Sequence, residues 1–131
     1  DIPNYYALID LFVIPRVADF ASDFVTPMKP FEAMAMRRPL LVSDRPALIE
    51  IVGEQEQRGL VFRAGDHLDL AGRLIELARS PERREALVQE GRRWIENERS
   101  WDRTIRIYEQ VYGYARRVAE TRLSAGSAGS A

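Results

Sequence analysis

Cysteine is absent from the 131 residues, and histidine occurs once, at His67. The first absence excludes a disulfide framework and any thiolate metal site, and one imidazole cannot build a histidine cluster. No metal or other cofactor is therefore expected, and a reducing, cytoplasmic compartment is. Long apolar runs are also lacking. None approaches the ~20 residues that a spanning helix needs, so membrane contact is expected to be peripheral at most, at the inner face. The start, Asp1-Ile2-Pro3-Asn4, has neither the basic nor the apolar region of a signal peptide. Charge of one sign does not dominate either. Lys plus Arg number 19 against 20 for Asp plus Glu, so the basic surface of a nucleic-acid binder is not expected. A Walker pattern and a Gly-x-Gly-x-x-Gly run are both missing, which removes support for a P-loop or an ordinary dinucleotide site.

What is present is apolar residue in bulk, 46% of the chain, enough to bury the core of one domain or of a piece of a larger one. Leu11-Phe12-Val13-Ile14-Pro15 is a continuous apolar run closed by proline, the pattern of a strand covered on both faces. Pro39-Leu40-Leu41-Val42-Ser43 and Gly59-Leu60-Val61-Phe62-Arg63 repeat it. Between them lie helical stretches: residues 4–10 as a short helix or its end, Phe31 to Met36 after a polar loop running from Arg16 to Pro27, and a short helix after Pro46. Strands alternating with helices predict an α/β fold, a Rossmann-like parallel sheet with flanking helices. Three strands are fewer than the ~5–6 of a typical sheet, which leads to the expectation that further strands precede Asp1.

After the third strand the pattern turns helical. Asp66 is placed to N-cap a helix whose Leu70, Ala71, Leu74, Leu77 and Ala78 recur at helical spacing. Ser80-Pro81-Glu82 restarts a helix with Leu87, Trp94 and Ile95 on its apolar face, and a third helix follows Ser100 with a stripe of Trp101, Ile105, Tyr108, Tyr112, Ala115 and Ala119. That stripe reads as core or domain interface. The predicted organisation is one domain over residues 1–122 and a flexible Ser/Ala/Gly tail over 123–131.

The chemistry concentrates between the first strand and the second. Residues 22–36 follow a strand's carboxyl end and open a helix, where α/β sheets bind ligands and backbone N–H groups are free for anions. Lys29 adds a positive charge and Glu32, one turn in, an acceptor for sugar hydroxyls. Together they suit a nucleotide diphosphate. Alone, Glu32 is equally a solvated first-turn glutamate, Lys29 a surface lysine, Thr26 a loop or cap residue, and Arg16, just past the first strand, a structural cation facing the expected cleft. His67, beside a helix cap, reads as an incidental loop residue, and the methionines Met28, Met34 and Met36 as packing.

The stretch Val25-Thr26-Pro27-Met28-Lys29-Pro30-Phe31-Glu32-Ala33-Met34-Ala35-Met36-Arg37-Arg38-Pro39-Leu40-Leu41-Val42-Ser43-Asp44 resembles the donor-site signature of retaining glycosyltransferases of family 4. Tyr5-Tyr6-Ala7-Leu8-Ile9-Asp10, Gly59-Leu60-Val61-Phe62, Gly65-Asp66 and Ser100-Trp101 agree with that family in order and spacing, so the resemblance runs over about residues 5 to 113. It implies the C-terminal, donor-binding half of a two-Rossmann-domain (GT-B) enzyme, with an N-terminal domain of the same protein as its partner. The implied donor is a nucleotide-diphospho-sugar and the acceptor a sugar, glycan or lipid-linked hydroxyl, as in polysaccharide biosynthesis. Glu32 matches the family's ribose-binding acid. The position of its first acid is Phe24, and Asp23 is the nearest carboxylate. The resemblance thus makes Asp23 and Lys29 the catalytic candidates, with Arg16, Thr26, Met28, Lys29 and Glu32 binding the donor. Two other functions fit the same segment: a non-catalytic nucleotide-sugar-binding module, favoured by Phe24, and a sugar-nucleotide epimerase.

Overall fold

The computed structural model describes residues 1–127. The chain divides into two units, Asp1–Glu96 and Asn97–Ala131. The first holds a parallel sheet of three strands in the order β1-β2-β3, with β1 at Phe12–Ile14, β2 at Leu40–Ser43 and β3 at Leu60–Phe62. Phe12 pairs with Leu40 and Ile14 with Val42, while Leu41 pairs with Leu60 and Ser43 with Phe62. The α/β class and all three strands agree with the sequence reading. Parallel neighbours need crossovers. These are α2 (Phe20–Phe24) with α3 (Lys29–Ala35) between β1 and β2, and α4 (Pro46–Val52) between β2 and β3.

Every residue of β2 is buried, as the middle strand of a sheet covered on both sides must be. Side chains of a strand alternate faces. Leu40 and Val42 accordingly join one core with Tyr6 of α1 (Ile2–Ala7), Ile14, Ala33, Met34, Leu48, Ile51 and Val52. Leu41 joins the other, with Leu60, Phe62, Leu77 and Leu87. Leu77 comes from α5 (His67–Arg79) and Leu87 from α6 (Pro81–Glu98). Asp66 caps α5 as expected, accepting from the N–H groups of Leu68 and Asp69 at 3.0 and 2.9 Å. Leu70 and Leu74 pack against the second core, but Ala71 and Ala78 are exposed, so the apolar face of α5 is narrower than its spacing suggested.

Three differences from the sequence reading stand out. The loop after β1 contains a one-turn helix, α2, too short to leave a periodic signal. Helix α3 begins at Lys29, two residues ahead of Phe31, because Pro30 is compatible with a helix's first turn. The second unit is carried by α7 (Trp101–Ser127), so the helix continues into the small-residue segment expected to be a tail. Positions 128–131 lie outside the described residues. Along α7 the stripe expected to be core or domain interface is exposed at Trp101, Ile105, Tyr108 and Tyr112.

Candidate functional site

The carboxyl end of β1 and the start of α3 enclose an open cleft of about 550 Å³, lined by Ile14, Pro15, Arg16, Pro27, Met28, Lys29 and Glu32. Its location follows from the fold, since crossovers leave strand ends open to ligands. Four of the six predicted site residues, Arg16, Met28, Lys29 and Glu32, meet there.

Each is placed by local structure. Arg16 stands two residues beyond β1, and its Nη1 donates to the Val25 carbonyl at 2.9 Å, pinning the loop's far end to the strand. Pro27 and Pro30 are buried and fix the backbone on either side of Met28 and Lys29, whose side chains are exposed. Met28 lines the cleft, whereas Met34 is buried and Met36 packs against the core as expected of gap-filling residues. The Met28 carbonyl accepts from the N–H groups of Phe31 and Glu32 at 3.1 and 3.3 Å, closing the first turn of α3. Among the described residues, no acceptor takes the N–H groups of Thr26, Met28 or Lys29. Lys29 likewise makes no ion pair there. Glu32 accepts a 2.7 Å hydrogen bond on Oε2 from the hydroxyl of buried Tyr6. Burial foremost, then the hydrogen bond and negative charge of Glu32, pushes the Tyr6 phenol up to about 12.

Asp23 and Thr26 are not among the cleft's lining residues. Thr26 is an exposed loop residue. Asp23 is gripped by Arg45, with Nε 2.8 Å from Oδ1 and Nη2 2.7 Å from Oδ2. The sequence picked out Asp23 as the nearest acid to a motif position; it did not anticipate that Arg45 would reach back to it. Phe24, at that motif position, is exposed and in ring contact with Phe20 at 4.9 Å.

Tyr6 and Arg45 are the residues that sequence reasoning left without a role. The only signal for Tyr6 was the Tyr5-Tyr6 pair, of which one side chain is buried (7% exposed) and the other is not (70%). His67 is exposed at the start of α5, as expected of a loop-edge residue. The arginines of α6 are taken up by carbonyls and acids: Arg84 donates to Leu77 and Ala78, Arg92 to Ala35 and Glu96, and Arg93 pairs with Glu90. Among the described residues, no group of three His, Asp or Glu side chains gathers that could hold a metal ion. No described helix is long and apolar enough to cross a membrane.

A helix-covered parallel sheet with an open cleft at a strand's carboxyl end defines an α/β domain of the doubly covered kind. Residues 1–94 match the model of the family glycosyl transferases group 1, and the chain belongs to that family. It is 29% identical over 114 residues to spore coat protein SA of Bacillus subtilis, a match covering 86% of this chain and 29% of that protein. Among solved structures it resembles the C-terminal domain of a glycosyl transferase group 1 family protein from Francisella tularensis, with a TM-score of 0.64 and 19% identity over 77% of this chain and 49% of the other. Sucrose-phosphate synthase from Thermosynechococcus elongatus aligns with a TM-score of 0.66 and 22% identity, over 84% of this chain and 27% of the enzyme. The sheet and its flanking helices thus have the fold of GT-B C-terminal domains. The chain spans well under two thirds of the length of each of these relatives.

Proposed function

We propose that this chain supplies the donor-binding, C-terminal half of a retaining glycosyltransferase of family 4, which moves a sugar from a nucleotide-diphospho-sugar to an acceptor hydroxyl. The observation that carries the reading is the meeting of Lys29 and Glu32 in one cleft at the end of β1. Cleavage of the donor places growing negative charge on the leaving diphosphate. Lys29 and the unengaged N–H groups of Met28 and Lys29 are the chain's stabilisers of that charge, without calling on a metal. Glu32 accepts from the ribose hydroxyls and sets the nucleotide's register along the cleft. An N-terminal domain of the same protein brings the acceptor, a sugar, glycan or lipid-linked hydroxyl, and excludes water on closure. Arg45 holds both oxygens of Asp23, so a catalytic role for that carboxylate requires the pair to open.

The cleft's described lining holds one carboxylate, Glu32, which favours the second reading, a module that binds a nucleotide-sugar without transferring it. Titrating the full-length protein with UDP, GDP and ADP, wild type beside Glu32→Ala, tests the donor reading. One nucleotide is expected to bind, and markedly more weakly in the variant. Absence of binding by all three would sink it, and binding without sugar transfer to any acceptor would leave the module.

A further inference from the structure

The contact between Tyr6 and Glu32 joins two elements that share no stretch of sequence. Tyr6 belongs to α1, Glu32 to α3, and 26 positions separate them. The two side chains differ sharply in freedom. Tyr6 is buried and lies flat on Phe12, the first residue of β1, with ring centroids 5.4 Å apart and planes 11° from parallel. Its hydroxyl is therefore fixed relative to the sheet. Glu32 is exposed on the cleft side, and a glutamate so placed would sample several rotamers if nothing held it. The bond from Tyr6 removes that freedom at one oxygen, Oε2. No described residue donates to the other oxygen.

We infer that Tyr6 is a positioning residue for the donor: it holds Oε2 of Glu32 so that Oε1 is presented to the cleft, ready to accept from a ribose hydroxyl of the nucleotide. The inference rests on the proposed role of Glu32 as ribose ligand. Preorganising an acceptor before binding spares the ordering that binding would otherwise have to impose. A phenol suits the task because it donates one hydrogen bond and, with its ionisation pushed up to about 12, keeps that proton at every physiological pH. The donor is also neutral, so it orients the carboxylate without cancelling the charge that makes it a strong acceptor.

The test uses the full-length protein as wild type, Tyr6→Phe, Glu32→Ala and the double variant. The probes are UDP, GDP and ADP with their 2′,3′-dideoxy counterparts, measured by calorimetry. Phenylalanine keeps the burial and the stack on Phe12 and deletes only the hydroxyl, and circular dichroism checks that the fold is kept. For the nucleotide that binds, Tyr6→Phe is expected to weaken affinity ~3–10-fold, less than loss of a whole charge-assisted hydrogen bond, because Glu32 stays and only its orientation is freed. The dideoxy nucleotide should bind wild type and Tyr6→Phe equally, and Tyr6→Phe should add nothing once Glu32 is alanine. Equal weakening of the parent and dideoxy nucleotides, or additive losses in the double variant, would overturn the inference, since a merely structural tyrosine behaves that way. Unchanged affinity in Tyr6→Phe, where Glu32→Ala weakens binding, would overturn the positioning role and leave the donor site standing. A wild type that binds none of the nucleotides, or a Glu32→Ala that binds them normally, overturns the donor reading and this one with it.

Discussion

Arg45 and Asp23 meet fork to fork, two parallel hydrogen bonds of 2.8 and 2.7 Å spanning 22 positions of sequence. Arg45 is the residue before α4 and Asp23 lies in α2, so the pair ties the loop after β1 to the helix after β2. The side chains are only 18% and 26% exposed, which spares the pair much of the solvent screening that makes surface ion pairs weak. A planar guanidinium fits a carboxylate in this way as a lysine cannot. Both carboxylate oxygens thus help to hold the loop whose other end forms the cleft.

Asp23→Ala should therefore act on stability before it acts on chemistry. It leaves a partly buried guanidinium without its acceptor, at an expected cost of about 1–2 kcal/mol. Chemical denaturation reads that loss as a lower midpoint at unchanged slope, and Asp23→Asn, which keeps one acceptor, should fall between. Normal stability with abolished sugar transfer would instead return Asp23 to a catalytic role.

How much of this could be read in the sequence divides by the range of the interactions. Strands β1, β2 and β3 were legible because a strand covered on both faces is an uninterrupted apolar run, and α5 because Asp66 caps it from the adjacent position. Lys29 and Glu32 were legible for the same reason: one loop and one helical turn carry both. What was not legible closes over distance. Helix α2 is five residues long and is tied down by Arg45, which no local pattern announces. Tyr6 reaches Glu32 across α1 and the whole of β1, and which of Tyr5 and Tyr6 turns inward is decided by packing on Phe12. The aromatic stripe of α7 gave the right helix, while periodicity fixes a face but not what covers it.

Two glycines should respond to alanine with opposite signs. A methyl group on Gly59, just ahead of β3, would stand 2.9 Å from Val52 Cγ1, 3.0 Å from Leu40 Cβ and 3.1 Å from the Leu40 carbonyl oxygen. Backbone of a buried strand cannot yield, so Gly59→Ala is expected to cost about 1–3 kcal/mol. On Gly72, inside α5, the same methyl meets nothing within 4 Å. There Gly72→Ala should stabilise by about 0.5–1 kcal/mol through helix propensity and a less free unfolded chain. Thermal melts of the two variants check both, and a stabilising Gly59→Ala would mean that β2 and β3 are not as closely set as found.

Asp66 gives the fold an acid-sensitive end. The N–H of Asp69 foremost, then Arg63 and the N–H of Leu68, lower its carboxyl below the ordinary 3.8, while partial desolvation opposes them. A carboxyl lowered on folding contributes stability that is present above its unfolded value and lost as pH falls through its folded one. The cap of α5 should accordingly weaken on acidification from about 3.8 downward. Asp66→Asn keeps a capping oxygen without a titrating charge, so its stability should fall less steeply over that interval. Equal slopes for wild type and variant would remove Asp66 from the acid response.

Tyr6 predicts the complementary behaviour at the alkaline end. Its phenol rises from 10.0 in the unfolded chain to about 12 when folded, through burial and the neighbouring Glu32. A proton held more tightly by the folded state adds stability at every pH below 10.0, where both states are protonated. Above that, the unfolded phenol ionises while the folded one does not, and the advantage drains away until about pH 12. Tyr6→Phe has no proton to lose. The stability gap between wild type and Tyr6→Phe should therefore be level up to pH 10 and narrow steadily over the next two units, which urea denaturation at successive pH values can follow. A gap that stays constant through that window would mean that the hydroxyl is neither buried nor held by Glu32 in solution, and the orientation of the cleft's carboxylate would need another cause.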